Sequence, residues 1–248
     1  MASKFSSFGT NKQGLIVFGG ESSADYGMVI SEPPAFERAS RKQTVYKVPG
    51  RNGAVVFQED AWEDVPRTYR VWLAKDRDGS IVDQVNAVEA WLNSQSGYQR
   101  LEDSFEQDTF RLAYYSGGEG FTNELMLAGE ATLQFTCRAE RFLKTGEQEQ
   151  TITDGSQIFN PTRFASKPLI HLEGSGVVQL NIEDQTMTAN LDDYINIDCE
   201  TMNAYREPTE LKNSSIVGTF PKIKPGANAI GITGTLTGAT IVPRFFTI

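Results

Sequence analysis

Histidine occurs once in these 248 residues and cysteine twice. A lone imidazole, His171, excludes within one chain a metal centre built from several imidazoles or a second imidazole proton shuttle. It sits inside LIHLEG, residues 169–174, where a hydrogen-bonded or exposed strand histidine is expected in place of a catalytic base. Cys137 and Cys199 lie in separate strand-like runs with no Cys/His signature beside them, so they read as two reduced, buried thiols and not as a disulfide. No apolar run approaches the ~20 residues that a membrane helix needs. The opening MASKFSSFGT carries one lysine and no apolar stretch, which is not the pattern of a secretory signal. Clustered Lys and Arg are missing too, and the formal charge is −9, which argues against a phosphate-reading surface and hence against nucleic acid. The charge is even: residues 1–145 hold 16 basic and 20 acidic side chains, residues 146–248 hold 7 and 12, and neither half is a charged tail.

Carboxylates are the one plentiful reactive group. Glu183-Asp184 and Asp192-Asp193 lack the alternating oxygen-ligand loop of a calcium site, and their placement at expected turns makes them solvated surface charge. Gly174-Ser175-Gly176 precedes a strand-like run where a phosphate-cradling glycine loop precedes a helix, so it is expected to be a hairpin turn. Asn213-Ser214-Ser215 matches a glycosylation pattern that has no meaning without export. No catalytic residue, cofactor site or metal site is therefore assigned, and the chain is read as a non-enzyme.

The residues present spell strands and turns, with one amphipathic helix. Asp78-Gly79 breaks the preceding strand, Ser80 is placed to cap, and Ser96-Gly97 supplies the stop. Between them Ile81, Val85, Val88 and Leu92 fall within an arc of roughly 60° at about 100° per residue. Val82 and Trp91 flank that stripe. Before the helix, Gln13–Gly20 and Tyr26–Ser31 read as short strands, and Pro33-Pro34 as an irregular connection. Residues 42–48 and 54–57 read as a hairpin around Pro49-Gly50-Arg51-Asn52-Gly53, whose glycines and asparagine tolerate φ > 0. Arg67–Lys75 alternates with Tyr69, Val71 and Leu73 on one side. After the helix, residues 98–101, 109–116 and 131–139 are expected strands and 117–124 a loop. Residues 145–167 have few aliphatics and many turn formers, which suits a linker between domains 1–145 and 146–248. Beyond them short strand-like runs at near-regular spacing suggest a β-sandwich.

These pieces resemble, in order and spacing over nearly the whole chain, the distal tail protein (Dit) family of long-tailed bacteriophages. In the N-terminal half the resemblance rests on Val48–Gly53, on the RTYRVWLAK run, on Ala90-Trp91-Leu92 and on Gly97–Ser104. In the C-terminal half it rests on Lys167–Ile170 with Gly174-Ser175-Gly176, on Ile197–Glu200 with Ala204-Tyr205, on Phe220-Pro221 and on Pro225–Asn228. It implies a mainly β chain: an α+β N-terminal domain, ring-forming, with a mixed sheet and one helix, then a galectin-like β-sandwich. It further implies a homo-hexameric ring at the tail tip of a virion, made in the bacterial host cytoplasm. Such a ring joins the tail tube protein to the tail-associated adhesion hub protein, with the tape measure protein as a further neighbour and no contact with membrane. Trp72, Val82 and Trp91 are the expected interface residues, through sheet edges and helix flanks, with a plain core role the competing reading for each tryptophan. A carbohydrate-binding module touching the host surface is the alternative. The few aromatics beyond residue 167, with Tyr194, Phe245 and Phe246 all in strand patterns that can bury them, favour a spacer or docking domain over it.

Overall fold

In the computed structural model, which describes residues 14–75, 79–124 and 128–248, the chain divides into two compact units. One ends at Arg141 and also takes in Ile248; the other runs Phe142–Thr247. Gln13 and Asp78, at the start of the expected first strand and in the break before the helix, lie outside the described residues.

The first unit holds β1 (Ile16–Phe18), β2 (Glu21–Ser22), β3 (Met28–Ile30), β4 (Arg41–Lys47), β5 (Ala54–Trp62), β6 (Val65–Ala74), α1 (Ile81–Ser94), β7 (Gln99–Asp103), β8 (Thr109–Glu124) and β9 (Ala128–Leu143). Its main sheet runs β2-β1-β7-β8-β9-β6-β3, and a bridge from Gly14 to Ile30 ties the residues entering β1 to β3 at the opposite edge. The sheet thereby comes close to closing on itself. The alternation in β6 is complete, with Val65, Arg67, Tyr69, Val71 and Leu73 inward and the residues between them outward. Two-residue periodicity with one face on a core explains it. α1 packs its stripe on this core through Ile81, Val88 and Leu92, with Val85 partly buried. Ser80 takes the extended N-cap geometry, although its side chain makes no capping hydrogen bond.

Trp91, on the flank of the stripe and open to either a core or an interface role, takes the core one: it is 3% exposed, donates its indole N–H to the Phe18 carbonyl at 3.0 Å, and stacks on Tyr26 at 4.9 Å. The buried arc is therefore wider than the aliphatic stripe, and Trp91 belongs to the core. Trp72, on the outward face of β6, is 37% exposed and Val82 is 53% exposed.

Arg67 is 1% exposed, and everything polar around it is organised by its charge. It donates to Asp103 Oδ2 at 2.8 Å, to Glu106 Oε1 at 3.3 Å, to the Tyr69 hydroxyl at 3.3 Å and to the Ala35 carbonyl at 2.8 Å. Tyr69 donates to the same Asp103 oxygen at 2.7 Å, and the Phe105 and Glu106 amides donate to the other. Burial by itself would raise the Asp103 carboxyl, yet the hydrogen bonds from Arg67 and Tyr69 and the guanidinium charge outweigh it and hold Asp103 below the usual carboxylate range. β6 and β7 are not neighbours in the sheet, so this pair joins strands that the backbone ladder leaves apart.

Residues 117–124 continue β8 as strand and do not form a loop. Gly118 is there because of a close approach: a Cβ at this position would lie 1.8 Å from the Thr132 carbonyl oxygen.

The second unit carries β10 (Gln150–Thr151), β11 (Gln157–Asn160), β12 (Leu169–Ile182), β13 (Gln185–Asp198), β14 (Asn203–Tyr205), β15 (Ile216–Gly218), β16 (Gly226–Thr233), β17 (Leu236–Val242) and β18 (Phe246–Thr247). Its spine is the hairpin β12–β13, paired without a break from Leu169–Asp198 to Ile182–Gln185. The first half of β12 pairs with β17 and the second half with β16, and inward residues from both halves, Ile170, Leu172, Val178, Leu180 and Ile182, share one core. The hairpin therefore passes from one layer of a sandwich to the other. Gly174 allows that passage, with φ 152° and a Cβ position only 2.5 Å from the Thr235 carbonyl oxygen. Gly174-Ser175-Gly176 and Asp192-Asp193, expected as turns, are thus paired mid-strand residues, and the real turn is Glu183-Asp184. The expected linker is also corrected. Residues 145–167 contribute β10 and β11 and bury Ile152, Ile158, Asn160 and Ser166, because both isoleucines face the sandwich core.

Two outcomes follow. Because the Asp103 carboxyl lies lower folded than unfolded, its stabilisation is complete above its unfolded pKa and is lost as pH falls below about 4. Asp103→Asn should cost about 3–5 kcal/mol at neutral pH and flatten the acid limb of an unfolding titration. Trp91→Ala should cost about 3–5 kcal/mol in denaturant unfolding, whereas Trp72→Ala should cost about 1 kcal/mol.

Candidate assembly surfaces

Neither thiol is available for chemistry. Cys137 and Cys199 are free and buried, and burial pushes each thiol up to about 12. His171 is half-buried on β12, donating Nδ1–H to Asn196 Oδ1 at 2.8 Å, with Nε2 3.0 Å from Glu173 Oε1. Asp184 is exposed and pairs with Lys224 at 2.5 Å, and Asp192 lies 3.6 Å from Arg206. Among the described residues no three of His, Cys, Asp and Glu converge as a metal site requires. No described helix is long and apolar enough to cross a membrane.

What the first unit presents outward is a ribbon. β4 and β5 pair only with each other, from Arg41–Trp62 to Lys47–Ala54, and no residue of theirs belongs to either core. The local sequence explains its shape: Pro49-Gly50 and Asn52-Gly53 turn the chain, with Gly50 and Gly53 at φ 78° and 80°. At the base, the Glu63 amide donates to the Ser40 carbonyl at 2.9 Å, and Arg41 lies 4.8 Å from the Trp62 ring centroid. Toward the tip the ribbon is apolar on both faces. Tyr46 and Phe57 meet edge to face at 5.8 Å and are 57% and 58% exposed, while Val45 and Val56 share the other face. A two-stranded ribbon cannot bury such side chains by itself. Residues 42–57 carry Lys42, Lys47 and Arg51 with no carboxylate, in a chain whose net charge is −9.

A second outward feature lies beside Trp72, whose cross-strand neighbour on β9 is Glu130. An open cleft of about 260 Å³ is lined by Glu32, Glu119 and Glu130 and, among the described residues, by one cation, Arg70, which is 3.3 Å from Glu32. Its character is opposite to that of the ribbon. Trp72 stands half-exposed opposite Glu130, Val82 is exposed on α1, and Trp91 is buried in the core. Sequence reading found the hairpin from its turn residues but not its isolation, which depends on which strands fail to pair with it.

No family model matches the sequence, and no curated protein matches it. Solved structures do. The Dit protein of phage SPP1, described as a paradigm of the hub adsorption apparatus in phages infecting Gram-positive hosts, superposes with a TM-score of 0.70 at 13% identity, over 96% of this chain and 100% of that one. A chain of the phage p2 baseplate, in its activated conformation with strontium, superposes with a TM-score of 0.52 at 8% identity, over 92% of this chain and 96% of that one. The fold of this chain, a β-rich first unit followed by a galectin-like sandwich, is that of the phage distal tail (Dit) hub protein.

Proposed function

We propose that the chain is a structural, non-enzymatic hub protein of a long-tailed phage tail tip. Six copies close a ring that joins the tail tube protein to the adhesion hub protein, with the tape measure protein as a possible neighbour inside the tail. The virion is its working location, and the bacterial host cytoplasm is where it is made. The ribbon β4–β5 is the observation that carries this reading. Exposed Tyr46 and Phe57 on one face and Val45 and Val56 on the other are left uncovered by the described residues of their own subunit. The ribbon and its seat are different patches, so the contact is heterologous, the kind that builds rings when the rotation closes. Its Lys42, Lys47 and Arg51 complement the Glu32, Glu119 and Glu130 cleft, which makes a second copy the fitting partner. Trp72 beside that cleft and Val82 on α1 are the interface residues proposed on the receiving side. The boundary near residue 145 separates the ring-forming half from a spacer or docking half.

Sedimentation velocity over a concentration series tests this. The full chain should associate up to a hexamer, less at high ionic strength because the interface pairs opposite charges. Tyr46→Ser with Phe57→Ser should leave the protein monomeric while changing its unfolding free energy by about 0.5 kcal/mol or less, since neither residue touches a core. A double variant that assembles like the parent would overturn the ribbon's role.

A further inference from the structure

The tip of the ribbon holds a reactive dipeptide. Asn-Gly occurs once in the sequence, at Asn52-Gly53, between β4 and β5. Both residues are exposed and stand outside the paired strands. Among the described residues neither the Asn52 carboxamide nor the Gly53 amide has a hydrogen-bond partner. Gly53 sits at φ 80°, and a Cβ there would meet nothing within 4 Å, so the Gly53 nitrogen meets no steric opposition in approaching the side chain before it. Other positions open to the same chemistry are held. Asn213, before Ser214, accepts from the Ala204 amide at 2.6 Å and donates to Asn203 at 2.9 Å. Asn93, before Ser94, lies in α1 and donates to the Glu89 carbonyl at 2.8 Å. Asp154, before Gly155, accepts from the Ile232 amide at 2.9 Å, and the Gly155 nitrogen that would have to attack donates to the Ile230 carbonyl, also at 2.9 Å.

We propose that Asn52 is a site of spontaneous deamidation and that the change weakens the ribbon's contact with a neighbouring copy, this second half resting on the assembly proposed above. The Gly53 nitrogen attacks Asn52 Cγ and closes a five-membered imide. The Cγ–Nδ2 bond breaks, and Nδ2 leaves as ammonia with the proton that the Gly53 amide gives up. One water then opens the imide: cleavage at the side-chain carbonyl gives aspartate, and cleavage at the backbone carbonyl gives isoaspartate, whose chain continues through the former side chain. Nothing is oxidised or reduced, and solvent is the only co-reactant. Closure within one chain replaces an encounter between molecules, and attack needs the amide nitrogen without its proton, so the rate rises with pH. Either product puts a carboxylate at the tip. Residues 42–57 carry Lys42, Lys47 and Arg51 and no acidic side chain, so the segment falls from three positive charges to a net two. In the seating proposed above it faces Glu32, Glu119 and Glu130, where an added negative charge repels. Isoaspartate also lengthens the turn by one backbone atom. The longer a subunit waits unassembled, the weaker its ribbon becomes as a partner.

Ageing the full chain in warm buffer, mildly acidic or mildly alkaline, and reading the chymotryptic peptide 47–57 by mass spectrometry tests the modification. Exchange of –NH2 for –OH should appear at Asn52 before any other asparagine, faster in the alkaline sample and divided between aspartate and isoaspartate. Asn52→Gln, which would have to close a six-membered imide, should slow it by about tenfold or more. An Asn52 that survives as long as Asn93 and Asn213, or that changes at a rate indifferent to pH, would overturn the assignment. Sedimentation velocity of Asn52→Asp beside Asn52→Gln tests the consequence. The aspartate variant should need about two- to fivefold more protein to associate, the range of one exposed ion pair. Equal association of the two would overturn the second half and leave the chemistry standing. A parent chain that never associates would overturn the assembly and this consequence together, while the mass measurement still decides the modification.

Discussion

One buried cation holds the first unit together. Arg67 sits on β6, and its partner Asp103 ends β7, two strands that share no backbone ladder. Taking a guanidinium out of water is costly unless each of its donors finds an acceptor, and here the acceptors come from four separate places in the chain: Tyr69, Ala35, Asp103 and Glu106. A structure that splayed β6 from β7 would leave that charge unpaired in a core of Phe135, Leu133 and Leu101. Closure of the sheet is therefore specified electrostatically as well as by burial. Ala35 matters separately, because it lies in the connection that leads into β4; the same guanidinium that closes the sheet also pins the approach to the ribbon.

That connection ties the footing of the ribbon to the stability of the core. The ribbon makes no contribution to either core and exposes aromatic and branched side chains on both faces, a costly arrangement for a free subunit. A rigid stem makes the arrangement usable, since an anchored ribbon loses less freedom when a neighbour covers it. The second unit solves a different problem. Its β12–β13 hairpin runs through both layers of the sandwich, so the two layers cannot be separated without breaking one continuous pairing. That rigidity fixes the spacing of the side chains along both faces of the hairpin.

Legibility in the sequence followed the range of the interaction. The β6 alternation, the α1 stripe and the turn at Pro49–Gly53 are periodic or local, and each was readable from neighbours a few residues apart. Glycines misled where their role was contact with another strand: Gly118 faces the Thr132 carbonyl and Gly174 the Thr235 carbonyl, yet both read locally as loop or turn. Residues 145–167 misled because a few buried positions, Ile152 and Ile158 among them, suffice to weave a polar segment into a sandwich. Trp91 was legible only as a flank residue open to a core or an interface role, and an indole with its one N–H satisfied extends the buried face beyond the aliphatic stripe. The Arg67–Asp103 pair left no local pattern, since it is assembled from strands brought together only by topology.

In the proposed function, the exposed ribbon is covered by a neighbouring copy in a closed ring. Class-averaged electron images of the purified full chain test it most directly. Closed six-membered rings, with each ribbon lying across the next subunit, are the expected result. Particles of a single subunit at every concentration, or two-fold dimers that leave the ribbons bare, would contradict it.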